Sequence, residues 1–466
     1  MRTAVMFVCA MMALSQSLFS AEQPNILFIL SDDLGYADLS CYGSETISTP
    51  VLDQLAQQGV RLTNHYANGA ECTPTRAAFL TGMYQNRIGG LECAIGIGNV
   101  GRYDDAVRLQ HFDELGLPQS VTTLPELLLQ QGYRTYISGK WHLGYGPRFS
   151  PNALGFEKAL YCTGGGMDYF HFTDTVLDYN LFLDGKKLER EGYFTDMVVE
   201  EAISQLQQHP KEKPFFLYLP FTTPHAPYQE RNDEHEQALP VDSIRWKQGR
   251  ADPAVYKAMV EQMDEAIGRL LSYLEKQKLT ENTIIVFTND NGGTKSGNNG
   301  ILRGHKGSTF EGGIKVPAIV KWDGHLPAGT EHSQLSLTMD WTKSFANIAG
   351  VPQARTAAFD GMDLIEQLKK PQSVDRTLYW RKQRGEQVWR ALHEGDWKLV
   401  IEQKPNKRSE YLFNLSSDPS EKQNMAKANA EVFSQLKQKQ QQWETEVRAE
   451  RRGRPGWTPL TKVRDE

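Results

Sequence analysis

The sequence predicts an α/β fold in which a large mixed, mostly parallel sheet lies between helices, followed by a small α+β subdomain with an antiparallel sheet. Short apolar runs rich in Ile, Val and Phe recur along most of the chain, and amphipathic stretches separate them. Apolar runs of this length are typical of strands that are buried on both faces. Because such strands alternate with helices, most of them should be parallel neighbours in one sheet.

Five apolar runs are predicted as strands, and three stretches with apolar residues at every third or fourth position are predicted as helices. The predicted strands are Asn25–Leu30, Tyr133–Ser138, Pro214–Leu219, Thr283–Thr288 and Val316–Lys321. The predicted helices are Thr123–Gln131, Asp196–Gln207 and Pro253–Gln277. Ligands of such sheets bind outside the carboxyl ends of the strands, so the residues that follow each strand are the first candidates for a site.

The pattern changes after about Pro371. A polar, charged helix is predicted over Ala428–Arg448, and short runs separated by turns are predicted as antiparallel strands. These runs are Arg376–Arg381, Gln387–Leu392, Trp397–Glu402 and, as a further candidate, Tyr411–Leu415. We therefore predict a main domain over residues 21–370 and a C-terminal subdomain over residues 371–466.

Composition and charge exclude several classes of protein. A chain of 466 residues with 39% hydrophobic residues can bury a large core, which excludes a disulfide-dense mini-protein or a disordered tail. Lysine and arginine number 51 against 57 aspartates and glutamates, and the net charge of −6 argues against a nucleic-acid partner.

Residues 1–20 are predicted to be a secretory signal peptide. Arg2 precedes an apolar run from Ala4 to Leu14, and small and polar residues follow. The alternative is a membrane anchor, but the run is much shorter than the roughly 20 apolar residues that span a bilayer. We therefore expect an exported protein, periplasmic or secreted, without a transmembrane segment.

Side chains with oxygen donors follow two of the predicted strands. Asp32 and Asp33 come directly after the first strand, and Asp290 and Asn291 come after Thr283–Thr288. A lone Asp-Asp pair more often makes a turn or a cap, but three carboxylates and an amide together suit Ca²⁺ or Mg²⁺. A site for two zinc ions would include histidine nitrogen, so the pattern favours one hard cation.

The segment CTPTR, from Cys72 to Arg76, lies before the helical stretch Ala77–Leu80. Taken alone, Cys72 could be a half-buried thiol and Arg76 a surface charge. Extended through Gly82, the segment resembles the Cys-x-Pro-x-Arg signature of the formylglycine-dependent (type I) sulfatases, a branch of the alkaline phosphatase superfamily. The resemblance implies an alkaline-phosphatase-like sandwich and the oxidation of Cys72 to formylglycine by a maturation enzyme.

Three further segments resemble sulfatase blocks and carry groups that can bind an anion. The segment GKWHLG holds Lys140 and His142, the segment TPHAPY holds His225, and the segment RGHKGSTFEGG holds Lys306. A single lysine or histidine is more often structural or solvated. Together with the Asp32–Asp33 pair and the segment CTPTR, these segments make five blocks in the family's order, which favours a sulfatase, a sulfuric ester hydrolase.

The resemblance implies a role for each residue of these blocks. Lys140 and Lys306 would bind sulfate oxygens, and Arg76 would stabilise the charged nucleophile. His225 would be the general acid for the leaving alcohol, and His142 would take a proton from the nucleophile. One Ca²⁺ would be bound by Asp32, Asp33, Cys72, Asp290 and Asn291.

The substrate is predicted to be a sulfated carbohydrate. The glycine-rich loop from Thr163 to His171 carries Asp168 and His171, which with Arg303 are candidates for binding the sugar; the alternative is a simple connection. The likeness to exported bacterial carbohydrate sulfatases and to the arylsulfatase and N-acetylgalactosamine-sulfatase branch implies a carrageenan-like galactan or a glycosaminoglycan.

Two other functions remain open at this point. A phosphomonoesterase or phosphodiesterase of the same superfamily would normally use threonine or serine and two transition metals. A catalytically silent carbohydrate-binding protein would result if Cys72 stayed unmodified. Of the other cysteines outside the predicted signal peptide, Cys41, Cys93 and Cys162, at most two can form a disulfide, and Cys93 with Cys162 is the suggested pair.

Overall fold

The computed structural model describes residues 23–89, 91–96, 115–175, 178–233 and 237–452, with side chains up to Arg448. The predicted signal peptide therefore lies outside the described residues. Within these ranges, none of the helices combines the length and the apolar character that crossing a membrane requires.

The main domain is built on a ten-stranded mixed sheet. The strands before the C-terminal subdomain are β1 (Asn25–Ser31), β2 (Val60–Leu62), β3 (His65–Tyr66), β4 (Arg134–Lys140), β5 (Lys158–Cys162), β6 (Phe182–Leu183), β7 (Lys186–Lys187), β8 (Phe215–Pro220), β9 (Thr283–Asn289), β10 (Ala318–Lys321), β11 (Thr330–His332) and β12 (Ser336–Leu337). The order in the sheet is β11-β2-β10-β9-β1-β8-β4-β5-β6-β7, and β3 pairs separately with β12. The five central strands β9, β1, β8, β4 and β5 are parallel, which confirms the mostly parallel sheet.

Helices cover both faces of this sheet. They are α1 (Pro50–Gln58), α2 (Cys72–Thr81), α3 (Leu124–Gln130), α4 (Phe194–Gln207), α5 (Pro253–Lys276), α6 (Glu311–Ile314), α7 (Met339–Ile348) and α8 (Leu364–Leu368). Successive residues of β1 belong to two different cores: Leu27 packs with α1, α4 and α5, and Phe28 packs with α2, α3, α7 and α8. Burial on both faces explains the unbroken apolar runs in the sequence.

The run Val316–Lys321 contains β10, which is antiparallel to both β9 and β2, so the sheet is mixed as predicted. One expectation about the main domain needs correction. The suggested disulfide is wrong, because Cys93 and Cys162 are both free thiols; the Cys93 thiol instead donates to the Gln383 carbonyl at 3.2 Å.

The C-terminal subdomain is a four-stranded antiparallel sheet with one long helix, as predicted. Its elements are β13 (Thr377–Arg384), β14 (Gln387–Glu394), β15 (Trp397–Lys404), β16 (Lys407–Asn414) and α9 (Ala430–Arg452). Trp380 of β13 and Trp443 of α9 share a core with Tyr66 and Ala78 of the main domain. This shared core brings β13 close to α2, the helix that begins at Cys72. The boundary at residue 371 stays a prediction.

Candidate active site

The ends of neighbouring strands bring the predicted residues together. Asp32 follows β1, Asp290 follows β9, Lys140 is the last residue of β4, and His225 lies in the loop after β8. Because β9, β1, β8 and β4 are parallel neighbours, their carboxyl ends meet at one edge of the sheet.

Cys72 is the first residue of α2 and is 1% exposed. The expectation that the motif lies before the helix is therefore wrong: the motif forms the first turn. Pro74 fits there because the first amide groups of a helix have no partner within the helix. The Cys72 thiol lies 3.2 Å from Asp32 Oδ1 and 3.5 Å from Lys306 Nζ.

The donor atoms at this edge could hold a divalent cation. One ligand atom from each of Asp32, Asp33, Cys72 and His225 lies within 4.8 Å of the others. The Asn291 amide nitrogen donates to Asp33 Oδ1 at 2.8 Å, whereas the buried Asn291 Oδ1 has no hydrogen-bond partner within the described part of the chain. A buried oxygen without a partner beside carboxylates is the arrangement that a metal ion would satisfy.

Three buried cations balance the three carboxylates. Arg76 donates to Asp290 Oδ2 through Nε at 3.0 Å and Nη2 at 2.8 Å. Lys140 pairs with Asp32, and Lys306 Nζ lies 2.8 Å from Asp33. Burial opposes the charge of each cation, but the carboxylates outweigh it and raise all three pKa values above the ordinary range. The edge is therefore strongly charged although nearly inaccessible to solvent.

His142 is neutral, and the described residues provide a hydrogen-bond partner for one of its two ring nitrogens. Its Nε2 lies 2.5 Å from the Ile95 carbonyl, which can only accept, so Nε2 carries the proton. The buried Nδ1 has no hydrogen-bond partner among the residues that the structure describes. Burial, together with the positive charge of Lys140, lowers the pKa of His142 well below its ordinary value. Nδ1 is therefore the unprotonated nitrogen, and in this state the ring is a weaker base than a free imidazole.

His225 presents Nε2 to the same edge. Its Nδ1 donates to the Ala226 carbonyl, and Nε2 lies 2.8 Å from the side-chain amide of Gln248 and 3.7 Å from Asp33 Oδ2. Burial and the charge of Lys306 lower the pKa of His225 to about 3. The ring is therefore neutral, with Nε2 as the atom that exchanges a proton.

Two glycines allow close approach at the site. A Cβ on Gly292 would lie 2.1 Å from the Gly312 carbonyl oxygen, so only glycine lets the Lys306 segment pack against the end of β9. A Cβ on Gly165 would lie 2.9 Å from His142 Cε1, and the Gly165 carbonyl accepts from Lys140 at 2.6 Å.

The three predicted sugar-binding residues are not gathered with this set. Asp168 is fully buried and accepts from the backbone amides of Phe170, His171 and Leu239, so its carboxylate holds its own loop together. Arg303 donates to the Glu421 carbonyl at 2.7 Å and lies over the Phe310 ring. His171 stays partly exposed, with Nδ1 at 3.3 Å from Asp168.

Sequence reasoning missed a cluster that joins the C-terminal subdomain to α2. Glu71 immediately precedes Cys72 and is buried, and its carboxylate lies 3.0 Å from Lys382 Nζ and 2.8 Å from Arg384 Nη2. No local pattern predicts these contacts, because each joins residues more than 300 positions apart.

The fold and the site together define a hydrolase of anionic esters: a buried residue at a helix N-terminus faces carboxylates, lysines and histidines suited to metal and anion binding. A family model described as Sulfatase matches residues 24–351. A second, described as N-sulphoglucosamine sulphohydrolase, C-terminal, matches residues 305–446. The chain belongs to the sulfatase family and is a sulfuric ester hydrolase.

Named relatives agree with this assignment. The chain is 33% identical to N-acetylgalactosamine-6-sulfatase of Mus musculus over 379 residues, 77% of this chain and 69% of the relative. It is 29% identical to N-acetylgalactosamine-6-O-sulfatase of Bacteroides thetaiotaomicron, covering 90% of this chain and 92% of the relative. The crystal structure of Ps i-CgsB in complex with k-i-k-neocarrahexaose superposes with a TM-score of 0.79 at 29% identity, covering 95% and 96% of the two chains.

Proposed function

We propose that this sulfatase hydrolyses sulfate monoesters of a sulfated carbohydrate, a carrageenan-like galactan or a glycosaminoglycan, using a formylglycine made from Cys72 and one bound Ca²⁺. The observation that carries the proposal is the Cys72 side chain, buried at the start of α2 within 3.5 Å of Asp32 and Lys306. The carbohydrate class is supported by the names of the relatives, which act on galactosamine derivatives or were crystallised with a carrageenan-type oligosaccharide.

The protonation of Cys72 supports its modification. Burial and the carboxylates of Asp290 and Asp32 raise the pKa of Cys72 well above its ordinary value. The unmodified side chain therefore stays a neutral thiol, which is a poor nucleophile. Formylglycine, when formed by a maturation enzyme, supplies a hydrated aldehyde with one hydroxyl to attack sulfur and another through which the sulfate is later expelled.

The metal would be held by Asp32, Asp33, Asp290 and Asn291 together with the modified Cys72. When bound, Ca²⁺ would supply positive charge that polarises a sulfate oxygen. The partnerless Asn291 Oδ1 supports its place among the ligands. His225 Nε2 also lies within reach of this set, so we propose that it faces the leaving group beside the metal.

The remaining residues bind sulfate and move protons. Lys140 and Lys306 keep their protons and bind sulfate oxygens, and Arg76 stabilises the negative charge of the nucleophile. His142 Nδ1 takes the proton of the second hydroxyl. An anion bound beside Lys306 offsets the positive charge next to His225, which raises the pKa of this histidine and prepares it to protonate the leaving alcohol.

We propose different parts for the residues expected to bind the sugar. His171, with 27% of its side chain exposed, remains the candidate for contact with the sugar. Asp168 and Arg303 would act indirectly, by holding the loop over the site and the Lys306 segment. Export through the segment at residues 1–20 is part of the same proposal, because polymeric sulfated carbohydrates lie outside the cell.

The test compares Cys72→Ala with Cys41→Ala, a control at a half-buried cysteine that is not part of the site. Both proteins are produced together with the maturation enzyme, and sulfate release from defined sulfated saccharides is measured together with the melting temperature. Mass spectrometry of the peptide containing residue 72 should show formylglycine in the unaltered protein and in Cys41→Ala. Sulfate release by Cys72→Ala at the unaltered rate would refute the assignment of the nucleophile. A thiol at residue 72 in active protein would refute its modification.

A further inference from the structure

A short segment lies between His142 and the C-terminal subdomain. We call Glu92–Ile95 the bridging segment. The Ile95 carbonyl accepts from His142 Nε2 at 2.5 Å, and the Ile95 amide donates to Thr73 Oγ1 at 3.1 Å. Because the carbonyl can only accept, this contact selects the ring form in which Nε2 is protonated and Nδ1 is available. The bridging segment therefore sets both the orientation and the tautomer of His142.

Strand β13 of the C-terminal subdomain holds the other side of the bridging segment. The buried Arg381 forms an ion pair with Glu92. The Cys93 thiol donates to the Gln383 carbonyl at 3.2 Å. The bridging segment is thus attached to the main domain through Ile95 and to the subdomain through Glu92 and Cys93.

The buried Glu71 carboxylate also links the bridging segment to strand β13. Its Oε2 accepts from the Ala94 amide at 2.8 Å, next to the carbonyl group that binds His142. The same carboxylate accepts hydrogen bonds from Lys382 Nζ at 3.0 Å and from Arg384 Nη2 at 2.8 Å. A buried carboxylate with one backbone amide and two cations has a strongly fixed position. Glu71 therefore transmits the position of β13 to the residue beside Ile95.

We propose that Glu71 is a positioning residue through which the C-terminal subdomain holds the His142 imidazole in the orientation and tautomer that catalysis uses. The inference rests on the proposed function, in which His142 takes a proton from the nucleophile. Glu71 touches no substrate in this scheme and acts through Ala94 and Ile95. A merely structural Glu71 would affect stability but leave the properties of His142 unchanged.

The test is Glu71→Gln, which removes the charge and keeps the size of the side chain. Glu421→Gln is a matched control, because Glu421 is also a buried carboxylate that joins the two parts of the chain. It lies 3.0 Å from Lys398 and accepts from the Glu311 amide at 2.8 Å. It has no contact with the bridging segment in the part of the chain that the structure describes.

Two measurements separate positioning from stability. For matured protein, we expect Glu71→Gln to lower kcat about tenfold with KM within about twofold of the unaltered value, since a misplaced catalytic group costs rate rather than binding. Glu421→Gln should not show this loss of kcat, because Glu421 contacts Lys398 and the Glu311 amide rather than the bridging segment. In full-length Cys72→Ala protein with ¹⁵N-labelled histidine, the Nε2–H signal of His142, assigned by loss in His142→Gln, should shift or exchange faster when Glu71→Gln is added.

The outcomes are distinguishable from failure of the proposed function. If no protein, altered or not, releases sulfate, the proposed function fails, while the histidine spectra still test the positioning role. An unchanged His142 signal in Glu71→Gln, or equal loss of kcat in both glutamine variants, overturns the proposal. If Glu71→Gln does not fold, Arg384→Gln serves instead. Arg384 is partly exposed, and its replacement removes one of the ion pairs that fix the Glu71 carboxylate. We expect a smaller effect of the same kind.

Discussion

Replacement of Lys306 by methionine tests the charge balance of the site. Lys306 Nζ lies 2.8 Å from Asp33 and only 10% of its side chain is exposed. Although burial raises the pKa of Asp33, the charge of Lys306 and the hydrogen bonds from Asn291 and Lys306 lower the value from 3.8 to about 2. That difference alone corresponds to about 2 kcal/mol in favour of the charged carboxylate. Removing one partner of a buried ion pair costs about 3 kcal/mol or more, because the other charge stays buried.

We therefore expect Lys306→Met, in excess chelator, to lose about 3 kcal/mol of unfolding free energy. Saturating Ca²⁺ should recover part of the loss, since the metal supplies positive charge to Asp33. Catalytic efficiency should fall about 100-fold or more even with Ca²⁺, because a sulfate oxygen loses its cation.

The assay is denaturant unfolding with chelator and with Ca²⁺, together with steady-state sulfate release. Lys321→Met is the control, since Lys321 also pairs with an acid, Asp323 at 3.0 Å, but lies outside the site. Equal unfolding free energies for the two methionine variants in chelator would refute the reasoning about the ion pair. The gain in unfolding free energy on adding Ca²⁺ should be larger for Lys306→Met than for Lys321→Met. A gain of the same size in both variants would refute the link between the metal and Asp33.

Three further predictions concern the metal, pH and the subdomain core. Asn291→Leu removes Asn291 Oδ1 and keeps the side chain at nearly constant size. Calorimetric titration should show that the affinity for Ca²⁺ falls about tenfold or more, and an unchanged affinity would exclude Asn291 as a ligand. Burial raises the pKa of Glu444, but Arg390 and Arg381 outweigh this effect and lower the value from 4.5 to about 2. The stabilising contribution of the Glu444 ion pairs is therefore present above pH 4.5 and is lost as the pH falls from 4.5 to about 2. Denaturation of Glu444→Gln over a pH series should therefore show a deficit at neutral pH that disappears towards about pH 2; a deficit independent of pH would contradict this account. Trp380→Ala should lower the free energy of thermal or denaturant unfolding by about 3–5 kcal/mol, because Trp380 is 2% exposed in the core shared by the two parts of the chain. A loss below about 1 kcal/mol would show that this core is not tightly packed.

Strands buried on both faces could be predicted because their signal is local. The run Thr283–Thr288 is apolar between its two terminal threonines, and the structure extends the strand by one residue, to Asn289. The direction of β10 could not be predicted, since its pairing with β2 and β9 depends on where distant residues lie. The same run of apolar residues suits either direction.

The candidate site also has some features that local sequence predicts and others that depend on distant residues. Asp32 and Asp290 could be placed together because both follow buried strands, and parallel strands end at a common edge. The burial of Asp168 could not be foreseen, since a loop aspartate bound to its own backbone has the same sequence pattern as one that faces a ligand. The contacts of Glu71 could not be foreseen either, because its partners Lys382 and Arg384 lie more than 300 positions further along the chain.

The burial of α2 has a consequence for biosynthesis. Every residue from Cys72 to Thr81 is buried, and Arg76 and Thr73 are fully enclosed. If Cys72 is oxidised as proposed, the enzyme that recognises this segment would need the chain in an accessible, unpacked form. The modification would then have to precede folding of the main domain, and a chain that folded first would keep its thiol.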